Sequence, residues 1–119
     1  METRLIREPE MKNERRLRIM TAEGELRGLI DDDLFVFKGI PYAAPPVGAL
    51  RWRPPQPVTP WKDVREATRW GDASWQNRDY CVAVGGGDPG RFSEDCLYLN
   101  IWTPDVEPSR PLPVMVWLH

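Results

Sequence analysis

Ser93-Glu94-Asp95-Cys96-Leu97-Tyr98-Leu99-Asn100-Ile101-Trp102-Thr103-Pro104, then a short polar connector, then Leu112-Pro113-Val114-Met115-Val116-Trp117-Leu118-His119: this stretch decides the fold class. It predicts two successive strands. Leu97, Leu99 and Ile101 share one face of the first, and Tyr98 and Trp102 share the other. In the second, Val114, Val116 and Leu118 alternate with Met115 and Trp117. Neither face is polar throughout, which is the pattern of strands covered on both sides inside a larger α/β structure. His119, the last residue, is the only histidine of the chain.

Working outward, composition bounds what such strands can belong to. The 119 residues suffice for one small domain. Sixteen basic and 18 acidic side chains leave a formal charge of −2, so no basic field invites nucleic acid or an anionic membrane. Thirteen prolines imply long ordered connectors, and six tryptophans imply something bulky to pack against. A piece of a larger protein accommodates both better than an autonomous domain does. Met1 to Arg18 mixes basic and acidic residues without an apolar core, so it reads as a charged, poorly ordered leader over 1–16 rather than a secretory signal. No stretch approaches the roughly 20 apolar residues of a membrane span. Together these point to the cytoplasm.

From Leu17 to Ile30 the residues alternate about Ala22-Glu23-Gly24-Glu25, which predicts a β-hairpin. Asp31-Asp32-Asp33 reads as a polar turn, and Leu34 to Ile40 as a third strand of the same small antiparallel sheet. Pro41 to Trp61 is interrupted by prolines at 41, 45, 46, 54, 55, 57 and 60, which exclude a helix and a central strand. Tyr42, Leu50, Trp52 and Trp61 read as aromatic and apolar anchors pinning that connector. Asp63 to Trp70 fits one helical turn or an extended return, ended by Gly71. Gly85-Gly86-Gly87, with no Lys-Ser/Thr after it, reads as a surface loop and not a phosphate cradle.

Cys81 and Cys96 flank that loop. A disulfide closing about 15 residues would stabilise by roughly 3 kcal/mol in the chain-entropy model. The absence of an export signal favours reduced thiols instead, and both states stay open. Two cysteines and one terminal histidine do not make a four-ligand zinc site, so no metal is expected.

The run Glu94-Asp95-Cys96-Leu97-Tyr98-Leu99-Asn100 resembles a diagnostic motif of the type-B carboxylesterases, an α/β-hydrolase family that also includes the cholinesterases and bile-salt lipases. The resemblance extends through Phe37-Lys38-Gly39-Ile40-Pro41-Tyr42-Ala43, Leu50 to Pro57, Trp61 and Ala67 to Gly71, and covers Leu17 to His119. It implies an incomplete α/β-hydrolase domain over 17–119, strand-rich and proline-rich, of the bacterial para-nitrobenzyl-esterase kind. By the same resemblance Cys81 and Cys96 match a disulfide of secreted members. Arg51 and Glu94 match a structural salt bridge, and His119 begins the His-Gly-Gly oxyanion-hole motif.

The resemblance therefore implies a serine carboxylesterase acting on small-molecule esters through an acyl-enzyme, without cofactor. No catalytic residue lies in this chain. Ser74, Ser93 and Ser109 lack the Gly-x-Ser-x-Gly setting of a nucleophile, so the chain alone is expected to be inactive. The short loop carries Phe92 as its only aromatic between the cysteines, where cholinesterases place a cation-binding tryptophan; this disfavours choline esters. A non-catalytic adhesion protein on the same fold, and a truncated reading frame, are the competing readings.

Overall fold

The computed structural model describes residues 17–118. The charged leader over 1–16 and His119 lie outside the described residues.

The expected first hairpin is present: β1 (Arg18–Met20) pairs antiparallel with β2 (Glu25–Arg27), placing Arg18 opposite Arg27 and Met20 opposite Glu25. Its loop is closed by Thr21, whose hydroxyl donates to the Gly24 carbonyl at 2.8 Å and accepts from the Glu23 amide at 3.2 Å. The second arm does not continue to Ile30 in the same sheet. At Gly28 the chain passes so close to β4 (Leu34–Pro41) that an added Cβ would lie 2.5 Å from the Val36 carbonyl oxygen. There it leaves the first sheet, and β3 (Leu29–Asp31) opens a second one. Asp32 and Asp33, at φ +47° and +63°, make the two-residue turn from β3 into β4, a conformation aspartate tolerates better than most residues.

The three expected strands of one sheet are thus divided between two three-stranded sheets, β1-β2-β5 and β3-β4-β6. Asp63 to Trp70 is the extended return: β5 (Arg65–Glu66) runs parallel to β2. Ala67 then joins the sheets, its amide donating to the Arg27 carbonyl at 2.7 Å and its carbonyl accepting from the Lys38 amide at 2.8 Å. The core is small and sits between the sheets: Leu26, Phe35, Phe37, Ile40 and Ala67 are buried, with Leu17, Ile19, Trp61 and Val106 packed on them. Fully burying one such leucine or phenylalanine is worth about 1.5–3 kcal/mol.

The proline-rich wrap contains one 3-10 turn, Gly48–Leu50, and is otherwise irregular. Trp61 anchors it, donating its indole N–H to the Glu25 carbonyl at 2.8 Å. Trp52 does not act as an anchor: it is 91% exposed. The inter-cysteine segment also departs from a plain loop, because α1 (Arg78–Ala83) contains Cys81. Asn77 caps it, accepting from the Tyr80 amide at 2.9 Å, and Asp79 in the first turn complements the helix dipole.

β6 (Tyr98–Thr103) lies antiparallel to β4, with Phe37 opposite Ile101 and Val36 opposite Trp102. The expectation of cover on both faces is not met, since Leu99, Ile101 and Trp102 are exposed. The second expected strand is absent, and residues 111–118 carry no strand. Their alternation is that of a strand, but a strand is held by the ladder to a neighbour, and no strand pairing among the described residues includes them. No helix among the described residues is long and apolar enough to cross a membrane.

Candidate functional site

The motif residues 93–103 act mainly by fixing β6 to its surroundings. β4 carries an irregularity between Phe37 and Ile40, and at its centre Gly39 takes φ +66°. The displaced Gly39 amide donates to Asn100 Oδ1 at 2.9 Å, so the asparagine of the motif supplies the acceptor that the bulge takes away from the ladder. One residue before the strand, the Leu97 carbonyl accepts from the Tyr42 amide at 3.1 Å, tying the motif to the start of the wrap. At the other end, Thr103 Oγ1 donates to the Asp105 carbonyl at 2.7 Å and turns the chain out of the sheet.

Arg51 and Glu94 are brought together: Arg51 Nη2 lies 3.4 Å from Glu94 Oε1. The side chains are 58% and 43% exposed, so the pair joins the wrap to the base of the loop without a buried charge. Such an exposed pair contributes about 0–1 kcal/mol, and the larger penalty for breaking a buried one does not apply.

Cys81 and Cys96 are free thiols in this structure. Cys81 Sγ donates to Gln76 Oε1 at 3.0 Å. Burial pushes the Cys96 thiol above its usual pKa, and the neighbouring carboxylates of Glu94 and Asp95 push it further in the same direction.

Two open clefts, of about 280 and 260 Å³, flank the motif and share Arg65, Asp95 and Tyr98 in their walls. The Tyr98 phenol is raised first by burial, then by its hydrogen bond to Asp95 and by that carboxylate's charge; Arg65 opposes the shift. Tyr98 is therefore a neutral donor at ordinary pH, not a base. On the rim of the cleft that Gly39 and Trp70 also line, Arg91 grips Asp72, with Nε 3.0 Å and Nη2 2.8 Å from Oδ2. That carboxylate raises the Arg91 pKa, by hydrogen bonding first and by charge second. Nothing local in the sequence pointed to the Asp72–Arg91 fork, because its members belong to separate loops. Asn100 and Asp95 were visible as members of the motif, while their partners were not.

Among the described residues no group of acidic, histidine and cysteine side chains could hold a metal ion. Ser93 does structural work: its Oγ accepts from the Asp95 amide at 3.1 Å. His119 lies outside the described residues, so no geometry attaches to it. The described side chains position one another, and none forms a nucleophile–base pair.

A model of the carboxylesterase family matches residues 15–119. The chain is 45% identical over 106 residues to phenmedipham hydrolase of Pseudarthrobacter oxydans, covering 83% of this chain and 20% of that protein. It is 43% identical over 101 residues to para-nitrobenzyl esterase of Bacillus subtilis, covering 85% and 20%. Among solved structures, a PNB esterase superposes with a TM-score of 0.78 at 42% identity over 87% of this chain and 21% of that one. A carboxylesterase of Geobacillus stearothermophilus gives 0.63 at 42% identity over 77% and 17%. The chain spans about one fifth of the length of these relatives.

Proposed function

Because the chain belongs to the carboxylesterase family and carries part of its α/β-hydrolase fold, we propose that it is the N-terminal segment of a serine carboxylesterase. The observation carrying this reading is that the motif strand, its bulge partner and the wrap lie in a chain that superposes on PNB esterase with a TM-score of 0.78. The whole protein would cleave carboxylic esters in two steps. A serine outside this chain attacks the ester carbonyl and expels the alcohol, and water then releases the acid from the acyl-enzyme. Backbone amides after His119 would stabilise the oxyanion in both steps, with His119 marking where that loop begins.

The segment's own role is support. Asn100 and Gly39 set the strand, Arg51 and Glu94 tie the wrap to the loop base, and the chain alone hydrolyses nothing. Cys81 and Cys96 are the pair that would close the loop under oxidation. We place the protein in the cytoplasm, where they stay reduced, a reading supported by the charged composition of residues 1–18. Mass measurement of the whole protein with and without reductant tests the pair.

Grafting residues 17–118 in place of the matching segment of Bacillus subtilis para-nitrobenzyl esterase tests the main reading. The chimera is expected to hydrolyse a para-nitrobenzyl ester within about tenfold of the parent, equivalent to about 1.4 kcal/mol of barrier. A folded chimera without esterase activity would overturn it.

A further inference from the structure

Both thiols that flank the loop between Cys81 and Cys96 are free, and the loop is fastened by other contacts. These contacts converge on one side chain. Arg78, the first residue of α1, bonds Asp88 Oδ1 through Nη1 and the Gly90 carbonyl through Nη2. Its guanidinium carbon also lies 4.8 Å from the centre of the Phe92 ring. Trp75 packs on the same ring, with the centroids 5.6 Å apart. Asp88 Oδ1 accepts in addition from the Gly90 amide at 2.9 Å, so the turn holds the acceptor that Arg78 uses. Phe92 is fixed from behind. Ala73 bridges it in parallel, the Ala73 amide donating to the Arg91 carbonyl at 2.9 Å and the Ala73 carbonyl accepting from the Ser93 amide at 3.0 Å. The Asp72–Arg91 fork stands beside that bridge.

We propose that Arg78 is a clasp that closes the inter-cysteine loop non-covalently, so that the loop's form does not depend on a bond between Cys81 and Cys96. The clasp spans residues 78–92, nearly the stretch that a disulfide between 81 and 96 would close. An ion pair alone would not suffice: the Arg78 and Asp88 side chains are 43% and 68% exposed, and such pairs contribute little. What sets Arg78 apart is that one planar group meets a carboxylate, a backbone carbonyl and an aromatic face together. The entropy of ordering its long side chain is therefore lost once for three contacts. The segment it closes, rich in glycine from 85 to 90, has little stiffness of its own and depends on such a fastening. A clasp of this kind acts whatever reaction the whole protein carries out, and its failure would leave the esterase reading untouched.

Amide exchange in the full 119-residue chain, read over residues 79–91 and over β4 in the same molecule, tests the clasp. Loop exchange is expected to agree within about twofold with and without reductant, and in the Cys81→Ser/Cys96→Ser double variant. Arg78→Gln, which loses both the charge and the fork, should speed loop exchange about tenfold and leave β4 as it was. Arg78→Lys keeps the charge but cannot meet Asp88, Gly90 and Phe92 together, so it should recover only part of that difference. Loop exchange that Arg78→Gln leaves unchanged overturns the clasp. So does a double serine variant, or added reductant, that opens the loop as far as Arg78→Gln does, since the closure would then be covalent. Full recovery in Arg78→Lys would reduce the clasp to an ion pair and overturn it too. Equal acceleration of β4 and the loop in Arg78→Gln would do the same, because Arg78 would then support the chain as a whole.

Discussion

At Gly39 the backbone sits at φ +66°, and an added Cβ would lie 2.6 Å from the Arg69 carbonyl oxygen. Backbone cannot yield as a flexible side-chain tip would, so Gly39→Ala should destabilise by about 1–3 kcal/mol, visible as a lowered Tm. Asn100→Ala should cost a similar amount, about 1–3 kcal/mol, because it strands the Gly39 amide without its acceptor. Arg51→Ala, by contrast, should shift stability by less than about 1 kcal/mol, since the pair with Glu94 is exposed to solvent. If Arg51→Ala proves as damaging as Asn100→Ala in the same thermal melts, the pair has a structural weight that its exposure does not explain. Cys96 offers a pH-dependent test. Its thiol pKa is raised by burial and by the carboxylates of Glu94 and Asp95, so less of it is thiolate near pH 8 than in free cysteine. Alkylation by iodoacetamide should therefore be slower than for free cysteine. Glu94→Gln should speed it by removing one of the charges that disfavour the thiolate, and a rate that falls on that substitution would reverse the sign of the argument.

Strands were legible in the sequence where alternation and turn chemistry agreed. The hairpin about Ala22 to Glu25 and the strand Leu34 to Ile40 follow from local pattern, and the structure has both, the strand running one residue further to Pro41. The division into two sheets was not legible, because it depends on the close approach of Gly28 to Val36 and Phe37, a contact between segments whose separation no periodicity encodes. α1 was missed for a related reason: Asn77 is a sound cap, but six residues are too few to display a helical repeat. At the candidate site the motif announced which residues matter, while the bulge that Asn100 satisfies could be seen only once β4 and β6 were side by side. Among the wrap's aromatic residues, pattern alone gave Trp52 and Trp61 equal standing. The structure separates them, since Trp61 donates to Glu25 and packs on the core, whereas Trp52 points into solvent. Trp61→Phe should accordingly cost about 1 kcal/mol for the lost hydrogen bond, and Trp52→Phe should stay within about 0.5 kcal/mol of the parent. Urea denaturation of the two variants side by side measures the difference, and equal losses would mean the wrap is not held by Trp61.

Over the described residues, burial is concentrated in one strand. β4 is the middle strand of its sheet, and its Val36 and Phe37 are buried. The C-terminal end of the described residues differs from it in kind: residues 112–118 are exposed and outside any ladder. Amide exchange is governed by the free energy of the opening that exposes each N–H, so a hydrogen-bonded strand and an unpaired run should separate by orders of magnitude in rate. In the 119-residue chain, the β4 amides should be the slowest to exchange, and those of 114–118 should exchange at the rate of an unstructured peptide. In the single-chain chimera with para-nitrobenzyl esterase, the β4 amides should change little, while those of 114–118 should become protected as the apolar run acquires neighbours. Protection of 114–118 already present in the isolated chain would mean that this run forms its strand unaided. If 114–118 instead stayed unprotected in an active chimera, the run would be dispensable to the fold it was expected to join, and its strand-like alternation would have another cause.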